Sequence, residues 1–125
     1  MSFWGTQPMR ITEAAKSSGL SVDTIRYYEK SGLLPTIRRG PDGHRAFSGE
    51  NIDWLTLLFW LRETGMPMKT MSRFAALYRD GDETIPERKE ILLTHSDYLK
   101  KRRTDLDRCE DILAYKLAMY RTYET

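Results

Sequence analysis

The 125-residue sequence predicts a mainly α-helical fold with one small β-hairpin and a long closing helix. Three observations carry that expectation. Gly19, Gly32, Gly65 and Gly81 cut the chain into short segments whose apolar residues repeat at helical spacing. Between the second and third segments, basic residues, Arg38-Arg39 before and His44-Arg45 after, flank Gly40-Pro41-Asp42-Gly43, the pattern of a tight hairpin turn. From Ile85 onward, one apolar position recurs every seven residues as far as Tyr120.

Taken in order, residues 1–8 read as an N-terminal arm whose aromatic members are Phe3 and Trp4. Thr12 is the expected cap of a short helix over 13–18, which Gly19 ends in a left-handed conformation. Ser21 caps a second helix over 22–31, with Val22, Ile25 and Tyr28 on one face and Gly32 at its end. Two short helices joined by a glycine-containing turn make a helix-turn-helix. Ile37-Arg38-Arg39 and His44-Arg45-Ala46-Phe47 then flank the glycine-rich turn as the limbs of a basic β-hairpin wing.

Ser48 caps the next helix, 49–64, which buries Ile52, Leu55, Leu58, Phe59 and Leu61. Pro67 fits the first turn of a further helix that Met71, Phe74, Ala75 and Tyr78 carry to about residue 79. Residues 79–83 read as a hinge. Thr84-Ile85-Pro86-Glu87 has the form of a capping box with proline in the first turn, so a long helix is expected to follow. Along it Ile85, Leu92, Leu99, Leu106, Leu113 and Tyr120 form a seam, while Arg88, His95, Arg102, Cys109 and Lys116 lie three residues after its first five members. One narrow apolar stripe on a charged helix suits a two-helix contact. The expected organisation is therefore an arm over 1–8, a winged helix-turn-helix domain over 9–80 and a dimerisation helix over 84–123.

The formal charge of +2 is small but unevenly spread. Residues 1–48 hold seven Lys/Arg against four Asp/Glu, residues 49–80 four of each, and residues 81–125 nine bases against ten acids. The basic excess thus coincides with the helix-turn-helix and wing, where a phosphate-facing surface needs it. A single cysteine excludes an intrachain disulfide, and no leader or membrane-spanning apolar run is seen, which makes the cytoplasm the expected location. Enzyme chemistry finds no support. Metal-ligand clusters and glycine-rich phosphate loops are missing, and Ser96 beside His95 is merely its neighbour on a helix. No cofactor and no metal are expected.

The run Met9-Arg10-Ile11-Thr12-Glu13-Ala14-Ala15-Lys16, then Gly19-Leu20-Ser21-Val22-Asp23-Thr24-Ile25-Arg26-Tyr27-Tyr28-Glu29, then Gly32-Leu33-Leu34-Pro35 closely resembles the signature of the MerR family of transcription regulators. The likeness continues through Gly43-His44-Arg45-Ala46-Phe47 and Leu61-Arg62-Glu63-Thr64-Gly65-Met66. It implies a bacterial, cytoplasmic homodimer, joined by an antiparallel coiled coil. Such a dimer binds a near-palindromic site in double-stranded promoter DNA and distorts the spacer so that RNA polymerase engages both promoter elements. The second helix would enter the major groove, where Asp23, Thr24, Arg26 and Tyr27 reach bases or phosphates, with Arg26 foremost. Arg38, Arg39, His44 and Arg45 of the wing would straddle the flanking backbone. Lys69, at the amide end of the Pro67 helix, and Arg62 would add a phosphate contact. Structural readings stand beside these: Tyr28 as core, Asp23 as partner of the helix dipole, and Arg38 and Arg39 as protection for a hairpin edge. An effector-independent DNA-architectural or recombination accessory protein is the alternative function.

Members that sense metals carry cysteines at the start of the dimerisation helix, where this chain has Thr84 and Ile85. One cysteine and two distant histidines do not make a thiolate metal site or an iron–sulfur site. The stretch Trp54–Met66 resembles the aldehyde- and stress-responsive AdhR/NmlR-like branch, yet Trp60 stands where that branch's reactive cysteine is expected. Two sensing candidates remain. Cys109 is either a packing residue or a thiol sensor of an electrophilic effector. Trp54, Trp60, Phe74 and Tyr78 are either core or an effector pocket for a small apolar molecule, closed by the far end of a partner's long helix.

Overall fold

The computed structural model describes residues 8–124, so Phe3 and Trp4 of the expected arm lie outside the described residues. Five α-helices follow in order: α1 (Ile11–Ser18), α2 (Val22–Lys30), α3 (Gly49–Glu63), α4 (Met68–Asp80) and α5 (Ile85–Arg121), with a short 3₁₀ turn at Asp82–Thr84. The mainly helical fold with a long closing helix is thus present. Among the described residues the wing contains one β-bridge, Arg39 to Arg45, rather than a ladder. The chain divides into two compact units, Met1–Arg88 and Lys89–Thr125.

In the first unit α1 packs on α2 and α3, and α3 packs on α4. Phe47, Ile25, Leu33, Ile52, Leu55, Leu58 and Met71 are its largest fully buried side chains. The periodicity of the sequence explains most of this core. Phe59 departs from the expected stripe: it is half-buried and lies against Gly19 at the end of α1. Gly19 has φ +90°, and a Cβ there would meet the Phe59 ring at 3.1 Å, so both backbone and space require glycine.

Helix starts follow local chemistry, with three departures. Ser21 and Ser48 cap α2 and α3 as expected, accepting from the N–H groups of Thr24 and Asn51, and Asn51 returns the bond to Ser48 N–H at 2.9 Å. α1 begins at Ile11, ahead of the expected cap Thr12. Arg10 occupies the cap position and its N–H lies 3.5 Å from the Glu13 carboxylate. Thr84 does not act as a capping-box acceptor either. Its hydroxyl lies 2.6 Å from Leu77 O and 2.7 Å from Gly81 O, and accepts from Arg88 Nε at 3.0 Å. Pro67 stands at the cap of α4 rather than within its first turn.

The second unit is the greater part of α5. Residues 101–124 are exposed, including seam members Leu106 (55%), Leu113 (56%) and Tyr120. Leu92 and Leu99 are half-buried.

Candidate nucleic-acid interface

α2 owes its register to its two faces. Ile25 and Tyr28 point into the core, and burial pushes the Tyr28 phenol above its usual pKa while the charge of Arg62 opposes the shift. Tyr28 is therefore core rather than contact. Arg26 and Tyr27, between them in sequence, face outward, and Arg26 has no ion pair or hydrogen bond among the described residues. Asp23 is exposed in the first turn of α2. Thr24 is half-buried, with its hydroxyl accepting from Ser21 Oγ at 2.8 Å.

The wing is a short hairpin held at several points. Gly43 N–H donates to Gly40 O at 2.9 Å across the turn, Gly40 N–H to His44 O at 2.8 Å, and Ala46 N–H to Arg38 O at 2.7 Å. Its base joins the segment before α1, where Met9 and Phe47 exchange two backbone bonds of 2.8 Å. The Asp42 carboxylate at the tip pairs with Arg10, lies 3.4 Å from His44 Nδ1, and accepts from His44 N–H at 3.1 Å. That N–H, followed by the charges of Arg10 and His44, holds Asp42 below its usual pKa against slight desolvation. Arg39 Nη1 donates to Gly43 O at 2.8 Å. Arg38 is exposed.

Between α2, the start of α1 and the wing lies a cleft of about 420 Å³, lined by Arg10, Ile11, Thr12, Arg26, Arg39, Gly43, His44 and Arg45. Four of the residues expected to touch DNA meet there: Arg26, Arg39, His44 and Arg45. Arg10 joins them and was not anticipated. The only local hint was its place one residue before an N-terminal helix, where side-chain capping rules draw attention to Ser, Thr, Asp and Asn instead. Arg62 and Lys69 lie outside this cleft, at the α3–α4 junction. Arg62 is exposed, with Nη1 3.4 Å from Met66 O, and Lys69 is exposed in the first turn of α4, whose amide end has no side-chain cap.

The four aromatic residues named as an effector pocket do not share one wall. Trp54 stacks on Phe74 at 5.3 Å between centroids and meets Tyr78 at 4.5 Å, and its Nε1–H donates to Leu33 O at 2.8 Å. Trp54 and Tyr78 line a cleft of about 340 Å³ with Glu50, Asp53 and Leu57, whereas Phe74 is buried and Trp60 does not line it. Trp60 is 57% exposed, edge-on to Phe59. Cys109 is exposed. Among the described residues, no three His, Cys, Asp or Glu gather as a metal site, and no helix is long and apolar enough to cross a membrane.

Residues 9–76, which run from just before α1 into α4, match the profile of the MerR HTH family regulatory proteins. The chain belongs to the MerR family. An uncharacterised HTH-type transcriptional regulator of Haemophilus influenzae is 41% identical over 86% of this chain and 80% of its own length. The HTH-type transcriptional regulator AdhR of Bacillus subtilis is 36% identical over 67% of this chain and 60% of its own. Among solved structures, that of HiNmlR, described as a MerR family regulator lacking the sensor domain and bound to promoter DNA, superposes with a TM-score of 0.82 at 38% identity, covering 92% of this chain and 91% of that one. MerR-family proteins are transcription regulators and not enzymes, which agrees with the reading of the sequence.

Proposed function

We propose that this MerR-family regulator binds a near-palindromic site in double-stranded promoter DNA as a cytoplasmic homodimer and distorts the spacer to control RNA polymerase. The observation that carries the reading is the arginine-lined cleft between α2 and the wing. A recognition helix supplies base contacts and the wing supplies flanking phosphate contacts, so a cleft with both walls cationic serves register as well as affinity. The promoter DNA bound by HiNmlR supports the same role here. Arg26 and Tyr27 read the groove, Thr24 supports the helix start, Arg38, Arg39 and His44 meet the backbone, and Arg62 and Lys69 add phosphate contacts near the amide end of α4. The exposed seam of α5, Leu106, Leu113 and Tyr120, supports an antiparallel coiled coil between two copies.

Selection of bound fragments from genomic DNA, followed by salt titration on the recovered site, tests the proposal. A common palindromic motif upstream of genes and a steep linear fall of log affinity with log salt are expected. Recovery of fragments without a shared motif would sink the promoter reading, and polymerase-dependent transcription from the recovered site separates a regulator from an architectural protein.

A further inference from the structure

Glu29 lies on α2, the helix assigned to the major groove, where an unpaired carboxylate would repel phosphates. Its Oε1 instead accepts from both Nε and Nη2 of Arg45, each at 2.8 Å, and the two side chains are only 30% and 27% exposed. We propose that Glu29 and Arg45 are positioning residues whose ion pair fixes the wing against the recognition helix, and that Arg45 serves this pair rather than a DNA phosphate. The inference deepens the DNA-binding reading and rests on it.

The physical case has three parts. Both guanidinium donors converge on one oxygen in a partly desolvated setting, where a charge-assisted pair is stronger than at a fully wet surface. Turning Arg45 toward a phosphate would strand Glu29 half-buried and anionic beside the DNA, which opposes the exchange. The Met9–Phe47 backbone bonds hold only the base of the wing; beyond it, among the described residues, the hairpin has one β-bridge, and the other side-chain ion pair to the body, Arg10 to Asp42, is about half exposed at both ends. A wing already held in place loses less conformational freedom on binding. Arg26, without a partner among the described residues, and Arg39, bonded only to the Gly43 carbonyl, are left as arginines of the same cleft that no carboxylate neutralises.

Amide hydrogen exchange on the DNA-free protein, together with operator titrations at several salt concentrations, tests this on Glu29→Gln, Arg45→Gln and the exchanged pair Glu29→Arg with Arg45→Glu. In Glu29→Gln the wing amides of Gly40 and Ala46 should exchange several-fold faster while those of α3 keep their protection. Specific affinity should fall about tenfold even though a negative charge has been removed. Arg45→Gln should show the same loss with an unchanged salt slope, and the exchanged pair should recover wing protection. Unaltered wing exchange in Glu29→Gln, or a salt slope reduced by about one in Arg45→Gln, would overturn the proposal. Wing exchange that changes as expected across the variants, when the wild-type protein itself binds no operator, would uphold the brace and overturn the DNA reading instead.

Discussion

Arg26 faces the cleft from the outer side of α2 without an ion pair among the described residues, so its guanidinium is available in a way that Arg10, paired with Asp42, and Arg45, paired with Glu29, are not. Replacing it by Ala should cost about 1–3 kcal/mol of operator binding and relax base preference at one position per half-site, as read by titrating a panel of single-base operator variants. Equal affinities for wild type and Arg26→Ala across that panel would remove it from recognition. Trp54 acts at the same scale on stability. Its buried indole N–H satisfies Leu33 O at 2.8 Å in the link between α2 and the wing. Trp54→Phe preserves the aromatic stack but leaves that carbonyl without its donor, so urea unfolding should show a loss of about 1–3 kcal/mol. An unshifted midpoint would mean that Leu33 O finds another donor. Cys109, exposed on α5, does not line the cleft between α2 and the wing, so Cys109→Ser should leave operator affinity unchanged, and chelation should do the same. A variant that binds normally but no longer responds to electrophiles would make Cys109 the sensor.

Among the elements, the wing has a titratable group at its turn. Asp42 sits below its ordinary pKa chiefly through the His44 N–H bond, so its contribution to the turn is present above the unfolded-state value and is lost as pH falls through the lower folded value. NMR titration of the Asp42 carboxyl should therefore give a midpoint below that of an unstructured Asp, and Arg10→Gln should move it upward. A midpoint at or above the ordinary value would refute this account of the turn. What was legible in the sequence follows the range of the forces involved. The α2 and α3 starts were readable because Ser21 and Ser48 act within three residues, and the core of α3 because burial follows its period. The start of α1 was not, since its cap is Arg10, and Thr84 misled because its hydroxyl turns back to the carbonyls of Leu77 and Gly81. Arg26, Arg39, His44 and Arg45 of the cleft could be named from local charge, but Arg10 and the ion-pair partners could not: Arg10 with Asp42 and Arg45 with Glu29 are joined only by the fold. Following one heptad position in α5 also missed Leu117, four residues beyond Leu113 on the same side, and Ile112, which lies with Met119 and Tyr123 about 100° around the helix.

For the whole molecule the decisive question is what α5 does with its apolar surface. Thirty-seven residues of helix extend for about 55 Å, and Leu106, Leu113, Leu117 and Tyr120 are all exposed along one side of its later half. An apolar row of that length on a charged helix gains stability by meeting another helix, and an identical copy supplies the complementary row by symmetry. In the proposed dimer two half-sites would act at high effective concentration, so dimerisation and operator affinity would be linked. Leu106→Asp tests the link where the seam is exposed. It would place an unpaired carboxylate in the helix contact at a cost of at least several kcal/mol, while leaving the packing of α1 to α4 untouched. Analytical ultracentrifugation should then show a monomer, circular dichroism should retain the cooperative melting of the first unit, and affinity for the full operator should fall roughly 10²–10⁴-fold, with the remaining binding weak and sensitive to salt. A dimer that persists in Leu106→Asp would place the interface elsewhere. A monomer that keeps wild-type affinity would instead show that one copy suffices to read the operator, and that the seam of α5 serves a different contact.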